Sequence, residues 1–214
     1  PYLQDITTMF ELLGSMGADI LLTENMDFTI NTNNLKEKEA RYELVKTMRA
    51  SILVLGPLVA KYGEAKIALP GGCAIGSRPV NYHLDALEQL GATITLKNGY
   101  IEASAKKLIG SKIKFDGITV TGTENIMMAA CLAEGTTILT NVAKEPEIID
   151  LAEFLNKMGA KISGAGSDEI TIEGVERLYG TEHSIPADRI EAGTYLVAAA
   201  VTNGEIKING INPN

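Results

Sequence analysis

Cys73 lies in the stretch Leu69-Pro70-Gly71-Gly72-Cys73-Ala74-Ile75-Gly76-Ser77-Arg78-Pro79-Val80, with three glycines around the thiol and a guanidinium five residues on. Glycine-rich connections run over protein surfaces and pack little, and a neighbouring positive charge favours the thiolate and lowers its pKa. Cys73 is therefore a candidate acid or nucleophile, with a spare surface cysteine as the plain alternative. Cys131 has a different setting. It sits within Met127-Met128-Ala129-Ala130-Cys131-Leu132-Ala133, an apolar helical stretch, and is assigned to packing.

A second group of residues could bind an anion. Arg49 and Thr121 both fall at the expected start of a helix, where unpaired amides and the helix dipole favour negative charge. The segment Thr119-Val120-Thr121-Gly122-Thr123-Glu124-Asn125 offers hydroxyls and a glycine suited to wrapping a phosphate, although Thr121 with Glu124 three residues on also reads as a simple capping box. Arg49, Arg78 and this helix start together point to a diphosphate or otherwise phosphorylated ligand. His83 reads as a hydrogen-bonding or capping residue near a helix start, and His183 as part of a strand-like stretch before Pro186. Neither has partners at metal-ligand spacing, so no metal site is expected. Glu145, Glu147, Asp188 and Glu191 fall at turns and helix starts and read as capping or dipole-stabilising carboxylates.

These residues are distributed over a three-fold internal repeat. Gly17-Ala18, Gly91-Ala92 and Gly159-Ala160 each close an amphipathic helix and precede a strand beginning at Ile20, Ile94 or Ile162. Asn98-Gly99 predicts a tight two-residue hairpin turn. A second helix follows at 49–62, 121–134 and 190–203, ended by Gly63, Gly135 and Gly204, and a further strand is expected at 65–69, 136–140 and 205–208. The unit reads helix, strand, strand, helix, strand. Three such units, about 1–78, 79–145 and 146–214, predict a single α/β domain closed around a pseudo-three-fold axis.

The 214 residues are 45% hydrophobic, enough to bury a substantial core. No apolar run reaches the roughly 18 residues of a membrane span, and the N-terminus lacks a signal-peptide layout, so a cytoplasmic protein is expected. A net charge of −8 argues against nucleic acid as a partner. The two cysteines lie far apart in unlike contexts and suggest reduced thiols.

Lys46-Thr47-Met48-Arg49-Ala50-Ser51, Leu69-Pro70-Gly71-Gly72-Cys73, Gly76-Ser77-Arg78-Pro79-Val80 with His83, Glu145-Pro146-Glu147-Ile148 and Pro186-Ala187-Asp188-Arg189-Ile190-Glu191-Ala192-Gly193-Thr194 occur in one order along the chain. In this the sequence resembles the enolpyruvyl transferases that act on UDP-N-acetylglucosamine. The resemblance implies two domains, each an inside-out α/β barrel of three βαβαββ units, of which this chain would be one. It also implies transfer of the enolpyruvyl group of phosphoenolpyruvate to the 3-hydroxyl of the sugar nucleotide with release of phosphate, in peptidoglycan precursor synthesis, without metal or organic cofactor. Cys73 would be the general acid and the residue alkylated by fosfomycin, and Arg78 would neutralise phosphate. Arg49 would face the sugar nucleotide or phosphoenolpyruvate. Pro79, Val80, Asn81 and Tyr82 would line the uracil, and Gly117, Ile118, Thr119, Val120, Thr121 and Gly122 the UDP portion. Asn81 stands where the family often has Asp. The family's N-terminal Lys-Asn pair and second domain are not among these residues, so the chain is expected to be a fragment inactive by itself. A noncatalytic sugar-nucleotide module, the related transferase acting on shikimate 3-phosphate and a fold relative acting on RNA ends are the alternative readings of the same residues.

Overall fold

The computed structural model describes residues 3–24, 27–70 and 80–211. It divides the chain into a first unit, Pro1–Gly180, and a second, Thr181–Asn214. In the first unit, α1 (Gln4–Ser15) leads into the hairpin β1 (Asp19–Leu22) and β2 (Phe28–Asn31). Next come β3 (Glu39–Ala40), α2 (Tyr42–Val45), a 3-10 turn at Arg49–Val54 running into α3 (Leu55–Tyr62), and β4 (Glu64–Ala68). The second repeat supplies α4 (Asn81–Gln89), β5 (Thr93–Lys97), β6 (Tyr100–Ser104), β7 (Lys112–Lys114), α5 (Val120–Ala130) and β8 (Thr136–Thr140). The third begins with α6 (Pro146–Lys157), β9 (Lys161–Ser163) and β10 (Glu169–Glu173), and the second unit holds α7 (Arg189–Thr202).

The three Gly-Ala pairs act as expected and in the same way. Gly17, Gly91 and Gly159 take φ of +101°, +92° and +100°, a region that is costly for any residue with a Cβ. The following alanine amide then reaches back five residues, Ala18 to Leu13, Ala92 to Leu87 and Ala160 to Leu155, each at 3.0 Å, closing a Schellman turn. Asn98 and Gly99 both have positive φ, as the tight β5–β6 turn requires.

Two four-stranded sheets result, ordered β3-β4-β6-β5 and β7-β8-β10-β9. In each, the strand after the second helix pairs antiparallel with the hairpin of the following repeat, β4 with β6 and β8 with β10. A short strand ahead of that helix, β3 or β7, adds on in parallel. These short strands are an addition to the sequence reading. Residues 205–208, expected as a strand, form none, and neither does the stretch around His183. A strand exists through its ladder, and residues 205–208 pair with no strand among the described residues. The third helix also ends differently, with Asn203 rather than Gly204 in the left-handed conformation.

The core of the first unit runs between helices and sheets without a break. Leu55, Ile126 and Met127 from the helices meet Ile67, Ile101 and Ile113 from the strands, all essentially inaccessible. Cys131 is buried among them, its thiol donating to the Met127 carbonyl at 3.2 Å, and burial pushes its pKa up to about 12. That agrees with the packing assignment. Among the described residues no helix is long and apolar enough to cross a membrane.

Candidate functional site

The candidate residues gather at the N-terminal end of α5. Thr119 keeps an extended backbone (φ −142°, ψ 119°) and caps the helix, its side chain accepting the Gly122 amide at 3.1 Å. Gly122 has to be small here, since a Cβ would lie 2.4 Å from the Thr119 methyl carbon. The sequence reading that put the cap at Thr121, boxed with Glu124, is therefore corrected. Thr121 is the second helical residue, and its hydroxyl is left to face another partner, His83 Nε2 at 3.3 Å. The two threonines are two residues apart, and the one that retains extended geometry is the cap.

Tyr82 and His83 reach this place from the first turn of α4, which begins at Asn81 after Val80. Gly117 lies against the end of the Tyr82 ring, so closely that a Cβ would sit 2.7 Å from the phenol oxygen. Arg49, half-buried at the start of the 3-10 turn, is near enough to act on His83 electrostatically. The structure thus brings together Arg49, Tyr82, Gly117, Thr119 and Thr121 from two repeats. Val80, Asn81, Ile118 and Val120 flank them on the same two segments, with Asn81 and Ile118 exposed. Cys73, Arg78 and Pro79 lie outside the described residues.

One residue that sequence reasoning left without a role holds this arrangement. Asn125 is fully buried and its amide spans three helical segments: Oδ1 accepts the Gly56 amide at 2.8 Å, and Nδ2 donates to the Ile52 carbonyl at 3.0 Å and to His83 Nδ1 at 2.9 Å. Gly56 sits inside α3 because a Cβ there would lie 2.4 Å from Asn125 Oδ1 and 2.5 Å from its carbonyl oxygen. A glycine inside one apolar helix and an asparagine inside another were the available signals for this close crossing.

Electrostatics set the protonation of two neighbours. Burial, and then the Arg49 guanidinium, pull the His83 pKa from the usual 6.5 down to about 4, so the ring is neutral near pH 7. Burial, and then the carboxylates of Glu147 and Glu145, push Glu124 from 4.5 up to about 7. Of the four expected capping carboxylates, Asp188 caps α7 by accepting the Ile190 and Glu191 amides at 2.9 and 3.0 Å. Glu145 occupies the cap position of α6 but its carboxylate accepts from the Lys144 amide instead. Glu147 and Glu191 lie in first turns, where the dipole favours them. A hollow of ≈ 400 Å³ within the second unit, lined by Ala187, Asp188, Glu191, Tyr195 and Ile206, shares no residue with the α5 cluster.

The arrangement offers what an anionic nucleotide needs: first-turn amides that point out of α5, a hydroxyl beside them, a half-buried guanidinium and an aromatic ring. Two relatives named UDP-N-acetylglucosamine 1-carboxyvinyltransferase match all of this chain, one from Hydrogenovibrio crunogenus at 55% identity and one from Halorhodospira halophila at 56%. The chain spans about half the length of these curated relatives, 51% of each. Among solved structures, the enolpyruvyl transferase NikO from Streptomyces tendae superposes with a TM-score of 0.79 at 22% identity, covering 93% of this chain and 48% of that one. EPSP synthase from Acinetobacter baumannii gives 0.71 at 22% identity, with 97% and 48% coverage. These two establish the fold, the mixed α/β fold of enolpyruvyl transferases. A family model described as EPSP synthase (3-phosphoshikimate 1-carboxyvinyltransferase) matches residues 1–214, and the chain belongs to that family.

Proposed function

We propose that this chain is one half of a UDP-N-acetylglucosamine 1-carboxyvinyltransferase, which moves the enolpyruvyl group of phosphoenolpyruvate to the 3-hydroxyl of UDP-N-acetylglucosamine and releases phosphate. The observation that carries the reading is the 55–56% identity, over the whole chain, to proteins of that name. The α5 cluster supports it, because its residues are those a sugar nucleotide would need and they come from two separate repeats. The 214 residues are taken as one domain of three repeats, with a further domain completing the cleft. The reaction serves peptidoglycan precursor synthesis in the cytoplasm.

In this reading the Cys73 thiol gives its proton to the methylene carbon of phosphoenolpyruvate. Positive charge develops at the adjacent carbon and is shared by the ester oxygen, which makes that carbon open to attack by the sugar 3-hydroxyl. The hydroxyl proton passes to a base in the other half of the cleft. From the resulting tetrahedral intermediate, loss of a methyl proton and cleavage of the carbon–oxygen bond to phosphate restore the enol ether. Arg78 neutralises the departing phosphate, and Arg49 faces the substrates. Pro79, Val80, Asn81 and Tyr82 hold the uracil, while Gly117, Ile118, Thr119, Val120, Thr121 and Gly122 hold the UDP portion. The chain by itself lacks half of the positioning and charged groups, each of which contributes orders of magnitude in rate, so its turnover is expected to be unmeasurable.

The test is fosfomycin labelling of the full-length protein and of this chain, with and without UDP-N-acetylglucosamine, read by intact mass and mapped by peptide. Labelling of the full-length protein at Cys73, accelerated by the sugar nucleotide and not by shikimate 3-phosphate, is the expected result. A full-length protein that stays unlabelled and binds no sugar nucleotide refutes the reading.

A further inference from the structure

The Asn125 amide fixes the tautomer of His83. Its orientation is not free: Oδ1 faces the Gly56 N–H at 2.8 Å and Nδ2 faces the Ile52 carbonyl at 3.0 Å, and a flipped amide would put oxygen against oxygen and N–H against N–H. Nδ2 therefore also presents an N–H to His83 Nδ1 at 2.9 Å, and Nδ1 has to be the lone-pair nitrogen of a neutral ring. The ring proton sits on Nε2. At 3.3 Å from Thr121 Oγ1, Nε2–H donates to that oxygen. A hydroxyl that receives this bond cannot spend its own proton on the ring. The Thr121 O–H is turned away from His83, in the first turn of α5, where Thr121 is half-buried and reachable from solvent.

We propose that His83 is a positioning residue for the nucleotide: through Nε2–H it makes the Thr121 hydroxyl a fixed donor to a diphosphate oxygen at the start of α5. The inference rests on the functional reading above, which places the UDP portion there. It adds a specific division of labour. Asn125 orients His83, His83 orients Thr121, and of these three only Thr121 touches the ligand. A neutral imidazole does this without a second positive charge, leaving Arg49 as the nearby cation.

Two substitutions separate the halves of His83. His83→Asn keeps an acceptor near the Nδ1 position for Asn125 but has no donor for Thr121. His83→Gln keeps a donor near the Nε2 position but leaves the Asn125 N–H unpaired. A purely structural role would make the less stable variant the poorer binder. The positioning role predicts the reverse order, with His83→Asn the more stable and His83→Gln the tighter. A lost hydrogen bond to a charged ligand corresponds to about ten- to hundredfold weaker binding, expected for His83→Asn and for Thr121→Val alike. The double variant His83→Asn/Thr121→Val should be no weaker than Thr121→Val, because both changes remove one interaction.

The experiment is titration of the 214-residue chain with UDP, by calorimetry and by long-range proton–nitrogen spectra of the imidazoles, which is tractable because the chain has 2 histidines. A His83 spectrum of the Nε2–H form, with the affinity order and non-additivity just given, is the expected outcome. An Nδ1–H spectrum overturns the inference directly. UDP binding by the wild type that survives His83→Asn and Thr121→Val unchanged overturns it and leaves the functional reading standing. Failure of the wild type to bind UDP at millimolar concentration rejects the placement of UDP on this chain, and the inference with it.

Discussion

Replacing Glu124 by Gln removes one of two buried titrations that oppose each other. The carboxyl is raised from 4.5 to about 7, so the folded chain holds a proton that the unfolded chain releases, and this contribution is complete below 4.5 and lost as pH rises toward 7. His83 runs the other way. Lowered from 6.5 to about 4, it stays neutral in the folded chain while the unfolded chain takes up a proton, so stability is complete above 6.5 and falls as pH drops toward 4. Each shift spans about 2.5 pH units, or about 3 kcal/mol at 1.36 kcal/mol per unit, and solvent screening of half-buried Glu124 brings its share to about 2 kcal/mol. Between 4.5 and 6.5 the two slopes largely cancel in the wild type. In Glu124→Gln the His83 slope stands alone. Urea unfolding followed by far-ultraviolet circular dichroism, at intervals from about pH 4.5 to about pH 7.5, measures the difference between variant and wild type. That difference should shift in the variant's favour by about 2 kcal/mol across the range. A difference that stays flat within about 0.5 kcal/mol refutes both the burial argument and the repulsion by Glu145 and Glu147.

Gly56→Ala places a Cβ 2.4 and 2.5 Å from atoms of Asn125, one of them backbone, so α3 and α5 have to separate; a loss of about 3 kcal/mol in the urea midpoint analysis is expected, and a neutral result refutes the close crossing. Gly117→Ala puts a Cβ 2.7 Å from the Tyr82 phenol oxygen and should weaken UDP binding several-fold, with part of the loss recovered in Gly117→Ala/Tyr82→Phe, where the nearest ring carbon is 3.1 Å away. Cys131, with its thiol pushed up to about 12 and fully buried, should resist iodoacetamide in the native chain and react on unfolding; native modification at the rate of an exposed thiol refutes its burial.

The repeat was legible because its punctuation is chemical. Gly17, Gly91 and Gly159 sit at positions that require positive φ, and the alanine after each makes the same backbone bond, so sequence and geometry report one constraint. What escaped was set by distant partners. Strands β3 and β7 are two and three residues long and exist only because β4 and β8 offer an edge, so no alternation of apolar residues announces them. Residues 205–208 carry strand-like residues but pair with no strand among the described residues. The cap at Thr119 rather than Thr121 turned on which threonine keeps extended backbone, and Gly122, which leaves room for the Thr119 side chain, was the overlooked clue. His83 was readable as a hydrogen-bonding residue, but its partners stand 38 and 42 residues away, beyond any local pattern.

The Asn125 hub explains why the candidate site lies at the junction of two repeats rather than within one. Apolar helix packing alone tolerates small slides between α3, α4 and α5, since burial is non-directional. A buried amide bonded to Gly56, Ile52 and His83 does not, because a slide would leave buried donors and acceptors unpaired at about 1–3 kcal/mol each. The same bonds that fix the helix crossing therefore fix where His83 and Thr121 stand. The placement of Thr121 and the stability of the fold share one network here, so Asn125 cannot be altered to change the first without lowering the second. Thr121, at the solvent end of that network, can be altered alone, so under the proposed reading a change at the helix start adjusts affinity while the buried amide keeps the helices in place.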